Sequence, residues 1–97
     1  MPVTVKVPTI FRAEVGGSPV IEGTGHNVRS LLDDLDGRYP GFKGRIVDPD
    51  GGLHRFVNLY VNDEDVRYLS SLDTAVADGD TVSILPAVAG GQGVNTR

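Results

Sequence analysis

An apolar stripe at helical spacing, Val28, Leu31, Leu32 and Leu35, is flanked on both sides by stretches that alternate with period two. The spacing i, i+3, i+4, i+7 describes one buried helical face. Upstream, Val3, Val5 and Val7 alternate with Thr4 and Lys6; downstream, Val57, Leu59 and Val61 alternate with Phe56, Asn58 and Tyr60. Alternation rich in β-branched residues marks a half-buried strand. A helix with strands before and after it buries its stripe against the sheet those strands form.

The remaining punctuation orders these elements. Gly16-Gly17-Ser18-Pro19 is turn chemistry and Val20-Ile21-Glu22 a return strand, so the first 22 residues read as a β-hairpin. Ile10 and Phe11 continue the apolar trend past Pro8, which marks an edge or a bulge. Thr24 or Asn27 is expected to cap the helix, and Gly37 and Pro40 to end it. Ile46-Val47 reads as a short strand, residues 48–52 as a loop, and residues 55–61 as the clearest strand. Asn62-Asp63-Glu64-Asp65 reads as a turn, after which Val66-Arg67-Tyr68 resumes as a strand. Residues 72–76 make a short helical turn, Asp78-Gly79-Asp80 a tight turn, and residues 81–85 a final strand. A right-handed crossover through the helix leaves the first and last strands central and parallel. The fold class predicted is α+β, a β-grasp: a mixed sheet packed on one helix.

At 97 residues and 39% hydrophobic, the chain suits one domain, residues 1–87, followed by a C-terminal tail, residues 88–97, expected to be flexible because nothing in it offsets the entropy of ordering. So small a core cannot also enclose a large ligand cavity. A net charge of −4 argues against binding the phosphate backbone of nucleic acid and favours a basic protein partner, or simply solubility. With no cysteine there is no disulfide framework, thiolate metal site or cysteine nucleophile. No basic segment followed by an apolar run opens the chain and no stretch is long enough to span a membrane, so a cytoplasmic protein without membrane partners is expected.

Several short patterns invite chemistry, and most have a plainer reading. Gly23-Thr24-Gly25 precedes the helix as a phosphate loop would, but Val28 stands where a third glycine belongs and no Gly-Lys-Ser/Thr follows. An ordinary strand-to-helix turn is the better reading. Gly90-Gly91-Gln92-Gly93 fails the same test. Asp48-Pro49-Asp50-Gly51 lacks the further ligands of a calcium loop and reads as a turn, as does Asn62-Asp63-Glu64-Asp65, so no metal site is assigned. His26 and His54 have no evident carboxylate partners and are read as surface or structural. With no convergent catalytic set, the chain is not expected to be an enzyme. The tail differs. Val88-Ala89-Gly90-Gly91 puts two residues without side chains at the end of a patterned domain, which suits a backbone that must thread a narrow channel to a reactive centre. On the helix-free face of the sheet, Phe56, Tyr60 and Leu85 are expected to form an apolar patch that binds partner proteins.

In Val3-Thr4-Val5, Pro8-Thr9-Ile10, the long run from Leu53 to Arg67, Ala77-Asp78-Gly79-Asp80 and Ile84-Leu85-Pro86-Ala87-Val88-Ala89-Gly90-Gly91, the chain resembles the ubiquitin-like sulfur carriers of the ThiS and MoaD family, and within it the CysO type of actinobacteria. The resemblance covers residues 1 to about 91 and implies a mechanism. An activating adenylyltransferase related to ubiquitin-activating enzymes uses ATP to adenylate the carboxylate of Gly91, sulfur displaces AMP, and the thiocarboxylate is delivered to an acceptor enzyme. In the CysO type that acceptor is a cysteine synthase, and a metal-dependent protease frees the product. The carrier itself holds no cofactor. Family members ready to react end at Gly-Gly, whereas here residues 92–97 follow. They are either a native extension to be trimmed, by a protease of the same metal-dependent kind, or an addition foreign to the carrier. Related carriers also serve thiamine, molybdopterin and specialised thio-metabolites. Two other readings remain beside this one: a modifier that forms isopeptide conjugates as ubiquitin does, and a non-catalytic β-grasp adaptor.

Overall fold

The structure is a computed structural model that describes residues 2–86. Five strands form one mixed sheet in the order β2-β1-β5-β3-β4. They are β1 (Val3–Lys6), β2 (Val20–Gly23), β3 (Val57–Val61), β4 (Glu64–Asp65) and β5 (Thr81–Pro86). β1 and β5 pair in parallel, with Val5 opposite Val82, and the other pairs are antiparallel. Helix α1 (Val28–Arg38) supplies the crossover. Its Val28, Leu31, Leu32 and Leu35 are buried together with Val3, Val5, Leu59, Val82 and Ile84 of the central strands. This is the expected β-grasp, an α+β fold with the first and last strands inside the sheet.

The segment between β1 and β2 is not a continued strand. Thr9–Val15 winds into a 3-10 helix that begins after Pro8, with the Phe11 amide donating to the Pro8 carbonyl at 3.0 Å. Phe11 and Val15, four residues apart, turn into the core. Gly16 and Gly17, at φ 68° and 86°, then close the turn. Likewise Ile46 belongs not to a strand but to helix α2 (Phe42–Ile46), where Phe42 and Ile46 share the buried face. Val47 alone bridges to Leu53.

Asn27 is the cap of α1: its Oδ1 accepts from the Ser30 amide at 2.8 Å, while Ser30 Oγ accepts from the Asn27 amide at 3.2 Å. Gly37 lies inside the helix rather than ending it, and the stop falls at Tyr39 before Pro40. Asn62 and Asp63, at φ 50° and 73°, supply the paired positive φ of a tight hairpin turn into β4. Val66–Tyr68 is a 3-10 turn rather than a strand, started by Asp65, whose Oδ1 accepts from the Arg67 amide at 2.9 Å. Of the helical turn expected over residues 72–76, only Leu72 and Asp73 are helical, in a 3-10 turn over Ser71–Asp73.

Candidate functional site

β5 carries the geometry that matters. Val82 and Ile84 point into the core; Thr81, Ser83 and Leu85 point to the face without a helix. At its end Pro86 stands opposite Val57, and the chain passes into the segment that holds the diglycine. Val88, Ala89, Gly90 and Gly91, like the whole 88–97 tail, lie outside the described residues. What the body offers is the surface around the root of that segment.

On the open face, Tyr60 of β3 and Ser83 of β5 are in register, and Ser83 is in register with Lys6 of β1. Between the strands and the 3-10 helix runs a groove of about 570 Å³ whose walls include Lys6, Pro8, Arg12, Val20, Tyr60 and Leu85. Leu85 is 47% exposed and Val20 49%, so an apolar strip faces solvent there. Val20 follows from the same alternation that buries Ile21, and could have been read from the sequence.

Phe56 does not join Tyr60 and Leu85. His54 interrupts the alternation: its Nδ1 accepts from the Phe56 amide at 3.1 Å and its carbonyl from the Val57 amide at 3.0 Å. The chain turns there and β3 starts only at Val57, not at Arg55. Phe56 instead lines a second depression with Ile10, Phe11, Arg45 and His54. The Arg55 guanidinium stacks over its ring at 4.8 Å. The two depressions flank the end of β5 separately.

The Thr24 and His26 amides ahead of α1 are already engaged. Thr24 donates its amide to the Asp34 carboxylate at 3.0 Å, and His26 donates to Ser30 Oγ at 3.0 Å. A carboxylate occupies the place a phosphate would need, so the Gly23-Thr24-Gly25 turn is built for close packing: a Cβ on Gly23 would lie 2.8 Å from Leu35 Cδ2. In the 48–52 loop the Gly51 amide donates to the Asp48 carbonyl at 2.8 Å and the Gly52 amide to Asp50 Oδ1 at 3.0 Å, which makes it a turn. Among the described residues no group of three or more His, Cys, Asp and Glu side chains is arranged to hold a metal ion. Near the start of β5 the Asp80 carboxyl is held below its usual 3.8, first by the hydrogen bond that Asn62 Nδ2 donates and then by the Ala77 amide. The same Asn62 accepts from the Thr81 amide at 3.0 Å, tying the β3–β4 turn to β5. No described helix is long and apolar enough to cross a membrane.

The sequence model of the ThiS family matches residues 5–91, ending on the second glycine of the pair. The sulfur carrier protein CysO of Mycobacterium tuberculosis is 53% identical over 93 residues, which cover 94% of this chain and all of that protein. In the crystal structure of the Amycolatopsis orientalis BexX/CysO complex, one chain is similar with a TM-score of 0.85 and 52% identity, covering 92% of this chain and 99% of that one. Small archaeal modifier protein 3 of Haloferax volcanii is 41% identical over 64 residues, 66% of this chain and 68% of that protein.

Proposed function

The chain belongs to the ThiS family and is a sulfur carrier rather than a catalyst; on that premise we propose that its sulfur rides on the carboxyl of Gly91. The observation that carries the reading is the family match, which runs from residue 5, within β1, through the rest of the β-grasp and stops on Gly91. The absence of cysteine fits it, because the reactive group is then main chain and no side-chain thiol is needed. A carboxylate resists attack until one of its oxygens belongs to a good leaving group. The Gly91 carboxylate attacks the α-phosphorus of ATP on an activating enzyme and expels pyrophosphate. A sulfide equivalent then adds to the acyl carbon, AMP departs, and the thiocarboxylate remains. Cysteine is the product favoured, through an acceptor enzyme of the cysteine synthase kind, since the relative identical at 53% is a CysO.

In the sequence Gly91 is bonded to Gln92, so its carboxyl is an amide. Hydrolysis of that bond, by a metal-dependent protease, precedes activation. The body's part is to fix the root of the segment and to dock. β5 is paired with β1 as far as Ser83 and with β3 as far as Pro86, so β3 holds the root of the segment, and the groove beside Leu85 and Tyr60 together with the Phe56 depression receives partner side chains. The CysO of the Amycolatopsis complex assembles with BexX, and a docking face on this chain would serve the same kind of event. A second reading, a protein modifier, is favoured by the identity to a small archaeal modifier protein; a covalent conjugate to lysine in cells would distinguish it.

The test is pyrophosphate release with the activating enzyme of the same organism. A chain ending at Gly91 should release pyrophosphate on addition of ATP and the full chain to Arg97 should not. Equal release from both overturns the requirement for trimming, and none from either overturns activation at Gly91.

A further inference from the structure

The net charge of −4 hides a division. Of the lysines and arginines among the described residues, Arg29, Arg38, Lys43 and Arg45 are in ion pairs, with Asp73, Asp34, Asp33 and Glu14. Lys6, Arg12, Arg55 and Arg67 have no carboxylate within ion-pair distance among the described residues. All four surround the root of the C-terminal segment. Lys6 and Arg12 line the groove with Leu85. Arg67 reaches from beyond β4 to the open face, where its guanidinium donates to Asn58 Oδ1 at 2.6 Å and to the His54 carbonyl at 3.0 Å. Arg55 stacks on Phe56, next to Val57, the residue opposite Pro86.

Of the acids on this face, Glu22 and Asp63 lie toward the other end of β5, although Asp63 also lines the groove with Lys6 and Arg12, and Asp65 is in register with Tyr60. Glu22 is in register with Thr4, and Thr4 with Thr81. Asp63 follows Asn62, whose amide donates to the Thr81 carbonyl at 2.8 Å. The cations without a carboxylate partner nevertheless gather from Ser83, in register with Lys6, toward Pro86. The acids of α1 are engaged within the molecule, Asp33 and Asp34 in ion pairs and Asp36 by the amides of Gly41 and Lys43.

We propose that the open face around the end of β5 recognises an acidic protein surface, with carboxylates of the partner meeting Lys6, Arg12, Arg55 and Arg67 and an apolar side chain entering the groove between Tyr60 and Leu85. This rests on the sulfur-carrier reading, which requires Gly91 to enter a partner's reactive centre. Gly91 lies five residues past Pro86. Five residues span at most roughly 17 Å. A partner that takes Gly91 inside must therefore approach the end of β5 closely, over the four unpaired cations. A basic partner would place like charges together there, which costs affinity and orientation.

The test uses the chain ending at Gly91 and the activating enzyme of the same organism, with ATP–pyrophosphate exchange followed against carrier concentration. Lys6→Glu with Arg55→Glu is the informative variant, since neither side chain makes a hydrogen bond among the described residues and a thermal melt checks the fold. The expected result is a KM for the carrier raised about tenfold or more with exchange at saturation unchanged. That gap should narrow between about 0.1 M and about 0.5 M salt, as screening shortens the reach of the charges. Arg29→Glu, on the α1 side, should leave KM where it was. A double variant whose KM stays within about twofold of the unaltered chain at both salt concentrations overturns the proposal and leaves the carrier reading standing. No exchange with the unaltered chain overturns both.

Discussion

Replacing Gly25 with alanine should destabilise the protein more than any other single methyl group added to a described glycine. The Cβ would lie 2.6 Å from the backbone nitrogen of Leu31, 2.8 Å from its Cα and 2.9 Å from Ser30 Oγ. Backbone cannot swing aside as a side-chain tip can, so the strand-to-helix turn must move away from α1 by several tenths of an ångström. Overpacking of this kind costs about 1–3 kcal/mol. Ser30 Oγ is also half of the cap that holds the start of α1, and losing a cap costs about 1 kcal/mol. Together the loss is about 2–4 kcal/mol, which lowers the melting temperature of a domain this size by roughly 10–20 °C. Gly37→Ala is the matched contrast, because a Cβ there meets nothing within 4 Å inside a helix. It should stabilise by about 0.5–1 kcal/mol. Urea or thermal melts of the three proteins decide the matter. A Gly25→Ala variant within about 0.5 kcal/mol of the parent would refute the packing account of this turn.

Three further outcomes follow from the geometry. Tyr60→Ala and Leu85→Ala, in one groove, should each weaken binding of the activating enzyme by about 2 kcal/mol and show coupling in a double-mutant cycle. Phe56→Ala, in its own depression, should add to either loss without coupling, and equal coupling among all three would mean that the two depressions act as one. Asp80 has a carboxyl pKa lower in the folded chain than its usual 3.8, so its contribution to stability is fully present above the unfolded value and is lost as the pH falls through the folded one. The stability difference between the parent and Asp80→Asn should accordingly shrink below about pH 4, and acid-unfolding curves separated by a constant amount at every pH would contradict the assignment.

The frame was legible because its signals are long and redundant. The α1 stripe and the alternation in β1, β3 and β5 each rest on several residues, and their order leaves one simple crossover. Shorter elements were not. Phe11 and Val15, and again Phe42 and Ile46, are helical pairs four apart, but one pair in a short segment does not outweigh a neighbouring apolar run that looks like strand. Val66–Tyr68 buries only its first residue, which no pattern over three positions can reveal. The candidate site divides in the same way. Alternation places Tyr60 and Leu85 on the open face, and they do share a groove. It also places Phe56 beside them, which fails because the imidazole of His54 captures the Phe56 amide and turns the chain. Net charge alone favours a basic partner or simply solubility, and such a sum does not record which charges are already paired.

The central claim is that Gly91 carries sulfur on its carboxyl. The direct measurement is the intact mass of the protein taken from its native cells, made alongside labelling with a thiol-reactive electrophile. The label is needed because oxidation of Met1 adds nearly the mass gained when sulfur replaces oxygen. A species ending at Gly91 that takes the label is the predicted result, since a chain without cysteine has no other thiol to react. A chain that still ends at Arg97 and never takes the label would contradict it.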